Sequence, residues 1–287
     1  KLIYDYCMFL NENDLFEVKL NAHWNVVDKF IVCEAGQTHT GLKKSFNFDV
    51  DRFKKYEDKI VYIRINNFEE EMKKFPNFFN VKVLEEVVQS HQNIDDWKRE
   101  AFQVNYVCII LDYLKASDND LVLGHCVDEI LKEQSIEEAT QFCGKDEIVR
   151  FNTDLYVYKL NLLHKTNVTA AGCMTTFKKL KELSPAVIRQ MNLGDKYIEN
   201  AGWHYTFLDS TDGENVLLKQ KSWAHSKDVY ANKKTKFDFD TKEEAVERLY
   251  SDYEPTLVES AYLSYPTFVQ NNLDKFKNYI YKEESEA

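Results

Sequence analysis

The sequence predicts an α/β fold with a mostly parallel central sheet flanked by helices. Short β-branched apolar runs alternate with helix-period segments through the first half of the chain. The stretches joining those runs are longer than a hairpin permits, as parallel strands covered on both faces require. After residue 148 the texture changes to strand-like runs and short helices, which read as an antiparallel extension of the same domain.

Residues 2–10 are the first candidate strand. Residues 11–20 follow as a helix, with Leu15, Phe16, Val18 and Leu20 in helix-compatible order and Asn13 placed to cap it. Residues 26–34 (VVDKFIVCE) make a second strand, ended by the turn region of Gly36 and Gly41, and residues 59–65 (KIVYIRI) a third. A long helix is expected from Asp95 or Asp96 to Lys115, with Phe102, Tyr106, Ile109, Ile110 and Tyr113 on one face. Residues 120–127 (DLVLGHCV) form the fourth strand. Residues 148–163 are strand-like and a shorter strand follows them; helices are expected at 175–183 and 184–191, and a strand at 197–208. Residues 233–240 read as a charged link, 241–250 (TKEEAVERLY) as a capped amphipathic helix, and 282–287 as a fraying tail. No internal repeat is present. The chain is thus organised as one domain with parts at 1–147, 148–240 and 241–287.

Composition bounds the function. With 287 residues, 44% of them apolar and 14% aromatic, the chain has material for a sizeable core and is not disordered. A formal net charge of -11 repels phosphate backbones, which excludes general nucleic-acid binding. An anionic nucleotide would need local compensation, such as a cation. No apolar run approaches the roughly 20 residues that span a bilayer, so a soluble piece with no membrane span is expected. The opening reads as a strand rather than a signal peptide, and the sequence leaves an upstream anchor or secretion open. The six cysteines are scattered without a CxxC pair, as reduced, buried thiols would be. Asn167-Val-Thr169 is a formal glycosylation sequon, which means nothing in a cytosolic chain.

The most informative run is residues 119–130 (NDLVLGHCVDEI). Ligands of open parallel sheets bind beyond the carboxyl ends of the strands, and here a buried apolar strand empties onto two adjacent acids, Asp128 and Glu129. Carboxylates in that position suit Mg or Mn, which bridges a carboxylate to substrate phosphates. The same two acids equally suit the cap of a following helix, and the pattern alone does not choose between these readings.

Several blocks resemble glycosyltransferase family 17, the bisecting N-acetylglucosaminyltransferases and their microbial and viral relatives. They are residues 3–12 with Leu15, Glu17 and Leu20; residues 26–34 with the turn Thr38-His-Thr-Gly41; Trp97-Lys-Arg-Glu-Ala-Phe-Gln-Val-Asn105, followed by the acidic strand; and the late elements Gly202-Trp-His204 and Ser222-Trp-Ala-His225-Ser226. Together they cover roughly residues 2–230. The resemblance implies a GT-A-like (Rossmann-like) fold with an acceptor-side extension after residue 148. It further implies a UDP-sugar donor, a divalent cation (Mn or Mg), and inverting transfer of N-acetylglucosamine or another hexose to the hydroxyl of a glycan acceptor. A composition rich in Lys, Asn, Tyr, Phe and Ile suits an AT-rich microbial or viral genome. Such a member is expected to work in the cytoplasm, whereas Golgi-anchored relatives would place it in the Golgi lumen behind an upstream anchor.

One departure stands out. The family reads Asp-Val-Asp-Glu where this chain reads Cys126-Val127-Asp128-Glu129, so the first acid is gone. Asp128 remains the expected metal ligand; a thiol is too soft to replace the lost oxygen toward Mg. The resemblance offers His204 and His225 as further metal ligands. The other histidines are taken as structural (His23, His91, His164) or as outside the family pattern (His39, His125). For the general base, Glu214, Asp209 and Glu100 are candidates, each with a structural reading as cap or ion pair. Arg99 is expected to neutralise the diphosphate. Asn11, Glu12 and Glu34, at the ends of the early strands, with Thr40, Cys126, Val127 and Trp203, complete the expected nucleotide-sugar contacts. Two alternatives remain: a catalytically impaired glycosyltransferase-fold binding protein, motivated by Cys126, and a nucleotidyltransferase. The latter ordinarily has an early Gly-rich loop, and this chain has none of its 8 glycines before Gly36.

Overall fold

A computed structural model of the chain describes residues 1–76, 93–124, 126–224 and 240–282, with the side chains of 165–171 left aside. Four parallel strands, β1 (Ile3–Phe9), β2 (Lys29–Ala35), β3 (Ile60–Ile65) and β4 (Leu121–Gly124), stand in the order β3-β2-β1-β4. Their connections carry helices α1 (Asn13–His23), α2 (Phe68–Lys74) and α3 (Ile94–Tyr113). Alternation along β1 explains why both faces are covered. Cys7 and Phe9 face α1, where Phe16 and Leu20 close one core, while Tyr4 and Tyr6 face α3, where Phe102, Tyr106 and Leu111 close the other. This is the mixed α/β arrangement, parallel through its first four strands, expected from the sequence.

The sheet continues as β4-β7-β6-β9-β5, with β5 (Glu129–Leu131), β6 (Val149–Val157), β7 (Leu162–Thr176), β8 (Lys196–Ile198) and β9 (Gly202–Thr206). Pairing is antiparallel at β4–β7, β6–β7 and β5–β9. The expectation of an antiparallel extension therefore holds for those pairs but not for β6–β8 and β6–β9, which are parallel. The reason lies in the connection. Helices α5 (Phe177–Leu183) and α6 (Pro185–Gln190) follow β7 and supply the crossover that parallel pairing needs. The run 148–163 is likewise two strands, split at the turn before Leu162.

The fourth strand is shorter than read from the sequence: it leaves the sheet at Gly124, and 126–128 form a turn that runs into β5 at Glu129. The helix at 242–253, α8 (Lys242–Tyr253), is capped as expected, the Thr241 hydroxyl accepting from Glu244 N–H at 3.3 Å. Asn13 is not a cap; it begins α1, preceded by Glu12. Helices α4 (Glu133–Cys143) and α7 (Glu214–Ser222) were not anticipated. The charged link up to residue 239 and the tail 283–287 lie outside the described residues.

Candidate functional site

A cavity of about 390 Å³ opens at the carboxyl ends of β1, β2 and β4. Its walls include Leu10 and Glu12 after β1, Thr38 and His39 after β2, the loop 126–129, Thr206 on β9, and Lys219 on α7. This is the crevice in which open α/β sheets bind ligands. Asp128, 4% exposed, faces Lys219 and His204: Lys219 Nζ lies 2.5 Å from its Oδ2 and His204 Nε2 lies 3.8 Å from its Oδ1. Burial alone would push the carboxyl up, but Lys219 and His204 outweigh it and hold it down at about 2. Burial works against the Lys219 ammonium in the same way, and the charges of Asp128 and Glu12 more than offset it, so it titrates above its ordinary range.

Arg189 Nη2 donates to the sulfur of Cys126, the thiol that stands where the sequence resemblance led one to expect an acid, at 3.2 Å. Burial, against the pull of Arg189 but aided by Glu129 and Asp128, pushes that thiol up to about 12, so it is neutral at physiological pH. Arg189 also lies 3.8 Å from Glu100, which in turn is 3.8 Å from His39 Nδ1.

A buried polar network fixes the loop from behind. Lys19, fully buried on α1, donates to the carbonyls of Cys126 at 2.8 Å and Glu129 at 3.2 Å and pairs with Asp5 at 3.7 Å. One turn later His23 Nδ1 meets Asp5 at 2.7 Å, and its Nε2 accepts from Leu131 N–H at 3.0 Å. Glu129 is spent on backbone: its Oε2 accepts from Cys126 N–H at 2.8 Å and Gly172 N–H at 3.2 Å. It lines the cavity but caps no helix. Asp128 O accepts from Tyr205 N–H at 2.8 Å, and the pairing of Glu129 with His204 brings the late Gly-Trp-His strand against the acidic loop. Gly202 makes that possible, since a Cβ there would stand 2.1 Å from Ile130 O.

Residues 1–77 match the model of glycosyltransferase family 17. The match supports glycosyl transfer as the activity class. No curated protein matches the chain. Among solved structures, the chain is similar to residues 1–349 of S. aureus TarS at 10% identity, covering 97% of this chain and 81% of that one with a TM-score of 0.38. A 4-diphosphocytidyl-2C-methyl-D-erythritol synthase is 11% identical over 69% of this chain and 89% of that one, with a TM-score of 0.37. A mycobacterial protein is 8% identical over 77% and 73%, with a TM-score of 0.35.

Within the family 17 segment, Glu12 lines the cavity, while Asn11 borders a neighbouring cleft and donates to Asn215 at 2.9 Å. Glu34 does not reach a ligand. It is fully buried and holds Lys44, the Asn47 and Phe48 amides and the Tyr62 hydroxyl, a scaffold for the loop after β2. Thr40 bonds the Lys221 carbonyl and His39 N–H the Ser222 carbonyl, so the Thr-His-Thr-Gly turn anchors the end of α7.

Beyond the family 17 segment, the Trp97–Asn105 block serves mainly to position. Gln103 donates to Cys33 O at 2.9 Å and meets His39 at 2.8 Å, and Asn105 accepts from Ser184 and the Ala186 amide, fixing α6 and hence Arg189. Arg99 is held by Glu69 at 2.8 Å and Asp96 at 3.2 Å and does not line the cavity; the guanidinium that does is Arg189. Trp203 points away, donating to Ser264 O at 2.7 Å. Of the three candidate bases, Glu100 lines the cavity. Glu214 is 65% exposed beside Lys242, outside it. Asp209 accepts from Thr211 N–H, Thr211 Oγ1 and Gly213 N–H at 2.5–2.6 Å, shaping the turn that launches α7. His225 lies outside the described residues.

A divalent cation fits this donor set poorly. An ammonium already sits on Asp128, a neutral thiol replaces the second oxygen ligand, and among the described residues no group of three His, Cys, Asp or Glu side chains converges to hold a metal. Lys219 and Arg189 carried no signal in the sequence, because each lies on a short helix far along the chain from the segment it faces.

Proposed function

We propose that the chain is a glycosyltransferase that moves a sugar, N-acetylglucosamine or another hexose, from a UDP-sugar to a glycan hydroxyl with inversion. The observation carrying this reading is the cavity at the carboxyl ends of β1, β2 and β4, with Asp128, Lys219 and Arg189 at its wall, in a chain whose opening matches glycosyltransferase family 17. Thr38, Gln37 and the apolar side chains of Met8, Leu10 and Ala35 would hold uracil and ribose, and the diphosphate would face the loop 126–129.

The chemistry is a displacement at one carbon. The acceptor oxygen forms a bond to the anomeric carbon from the face opposite the diphosphate as the bond from that carbon to the β-phosphate oxygen breaks. The electron pair leaves with UDP, and the hydroxyl proton passes to Glu100, the sequence-predicted acid that lines the cavity. Positive charge facing the departing diphosphate stabilises the charge that develops there.

Calorimetric titration of UDP, GDP and their sugar conjugates tests the donor site, and mass detection of a glycosylated acceptor tests turnover. Binding of one UDP-sugar with product formation supports the reading; no binding of any nucleotide overturns it. Cys126 favours a second reading, a binding protein that has kept the fold without turnover, which predicts nucleotide binding with no product.

A further inference from the structure

We propose that the site works without a divalent cation, with Lys219 and Arg189 supplying the positive charge that a donor diphosphate requires. The inference rests on the glycosyltransferase reading above and specifies how that site handles charge.

Four observations carry it. Lys219 Nζ is 2.5 Å from Asp128 Oδ2, so the oxygen a Mg or Mn would use is already compensated by a cation on the protein. At the position where a second acid would stand, Cys126 offers a sulfur that accepts from Arg189 at 3.2 Å, and thiols are poor partners for hard cations. The other acid of the segment, Glu129, has its Oε2 engaged by the amides of Cys126 and Gly172, which makes it a support for the backbone. Behind the loop, Lys19 is buried against the carbonyls of Cys126 and Glu129, adding positive charge where the loop would otherwise favour a metal. A metal at Asp128 would have to displace one ammonium and sit among two further cationic groups.

Charge and geometry suit a diphosphate instead. Lys219 and Arg189 both line the cavity, with side chains 22% and 36% exposed. Each is tethered by a short-range partner that an arriving anion can share or replace. A guanidinium presents a planar fork that matches phosphate oxygens two at a time, and an ammonium acts as a compact point charge. Two fixed positive charges match the two negative charges of a sugar-nucleotide diphosphate, and they require no ion to be recruited from solution. Gly213 and the Asp209 turn set the start of α7, and Asn105 sets α6, so both cations arrive on elements whose ends are pinned.

The test titrates UDP and UDP-N-acetylglucosamine into the full chain, once with excess EDTA and once with Mn, for the wild type, Lys219→Met and Lys219→Arg. Binding in EDTA that Mn leaves unchanged is expected. Charge-assisted hydrogen bonds are worth about 1.5–3 kcal/mol, so Lys219→Met should bind roughly 10- to 100-fold more weakly, with Lys219→Arg recovering most of the loss. Binding that requires Mn overturns the inference while leaving the glycosyltransferase reading intact. Wild-type affinity in Lys219→Met overturns it too. No nucleotide binding in either buffer removes the donor site itself, and the inference with it.

Discussion

Replacing Asp128 by Asn isolates the charge at the centre of the site. The wild-type carboxyl is 4% exposed yet held at about 2 against an ordinary 3.8, because Lys219 and His204 overcome the burial penalty. At about 1.36 kcal/mol per pH unit, that depression contributes roughly 2.4 kcal/mol of stability at neutral pH. Asn keeps the shape but loses the charge, and Lys219 is left facing a neutral amide, with the charge of Glu12 nearby. Its 22% exposure puts the cost below the roughly 3–5 kcal/mol of breaking a fully buried pair, so about 2–3 kcal/mol is expected. Because the folded-state value is depressed, the contribution is complete above the unfolded value of 3.8 and disappears as pH falls through about 2. The gap between wild type and Asp128→Asn should therefore be full at pH 7 and shrink to about half by pH 3. Urea unfolding followed by tryptophan fluorescence, with equal slopes for the two proteins, measures it. A gap below about 0.5 kcal/mol at pH 7, within the range of a surface substitution, or one that does not change between the two pH values, would refute the pairing.

Other outcomes follow from the same geometry. Gly202→Ala places a methyl 2.1 Å from the Ile130 carbonyl and should cost about 1–3 kcal/mol in thermal unfolding by forcing β9 off β5. Lys19→Met leaves Asp5 buried without its ammonium and strips two carbonyls of their donor; a loss of about 3–5 kcal/mol in urea unfolding is expected, and a neutral result would sink the network. Glu100→Gln should lower kcat by about 10²–10⁴ at saturating donor; an unaltered rate would exclude it as the base. With its thiol pushed up to about 12, Cys126 should resist iodoacetamide at pH 8 in the native protein and react once urea exposes it, as mass spectrometry would read.

Local pattern was enough to place the first four strands, the long helix and the capped helix at 242–253, because burial on both faces and helical period are written into neighbouring residues. It also located the loop 126–129 as the place where the sheet opens, since an apolar strand that ends on acids marks a crevice. What local pattern could not separate are residues that face the cavity and residues taken up by other protein groups, some only a few positions away. Glu34 and Asp209 look like site acids but are consumed by backbone amides; Arg99 looks like a phosphate ligand but is held by Glu69 and Asp96. Conversely, Lys219 and Arg189 lie on helices with no recognisable motif and reach the site only because α7 and α6 are folded back over it. An ion pair such as Lys219–Asp128 spans 91 residues of sequence, and neither periodicity nor local spacing can encode which distant charge will face which carboxylate. The sequence thus determined the sheet, the crevice and the thiol beside the acid at its mouth, while the tertiary structure alone decided which charges surround that acid.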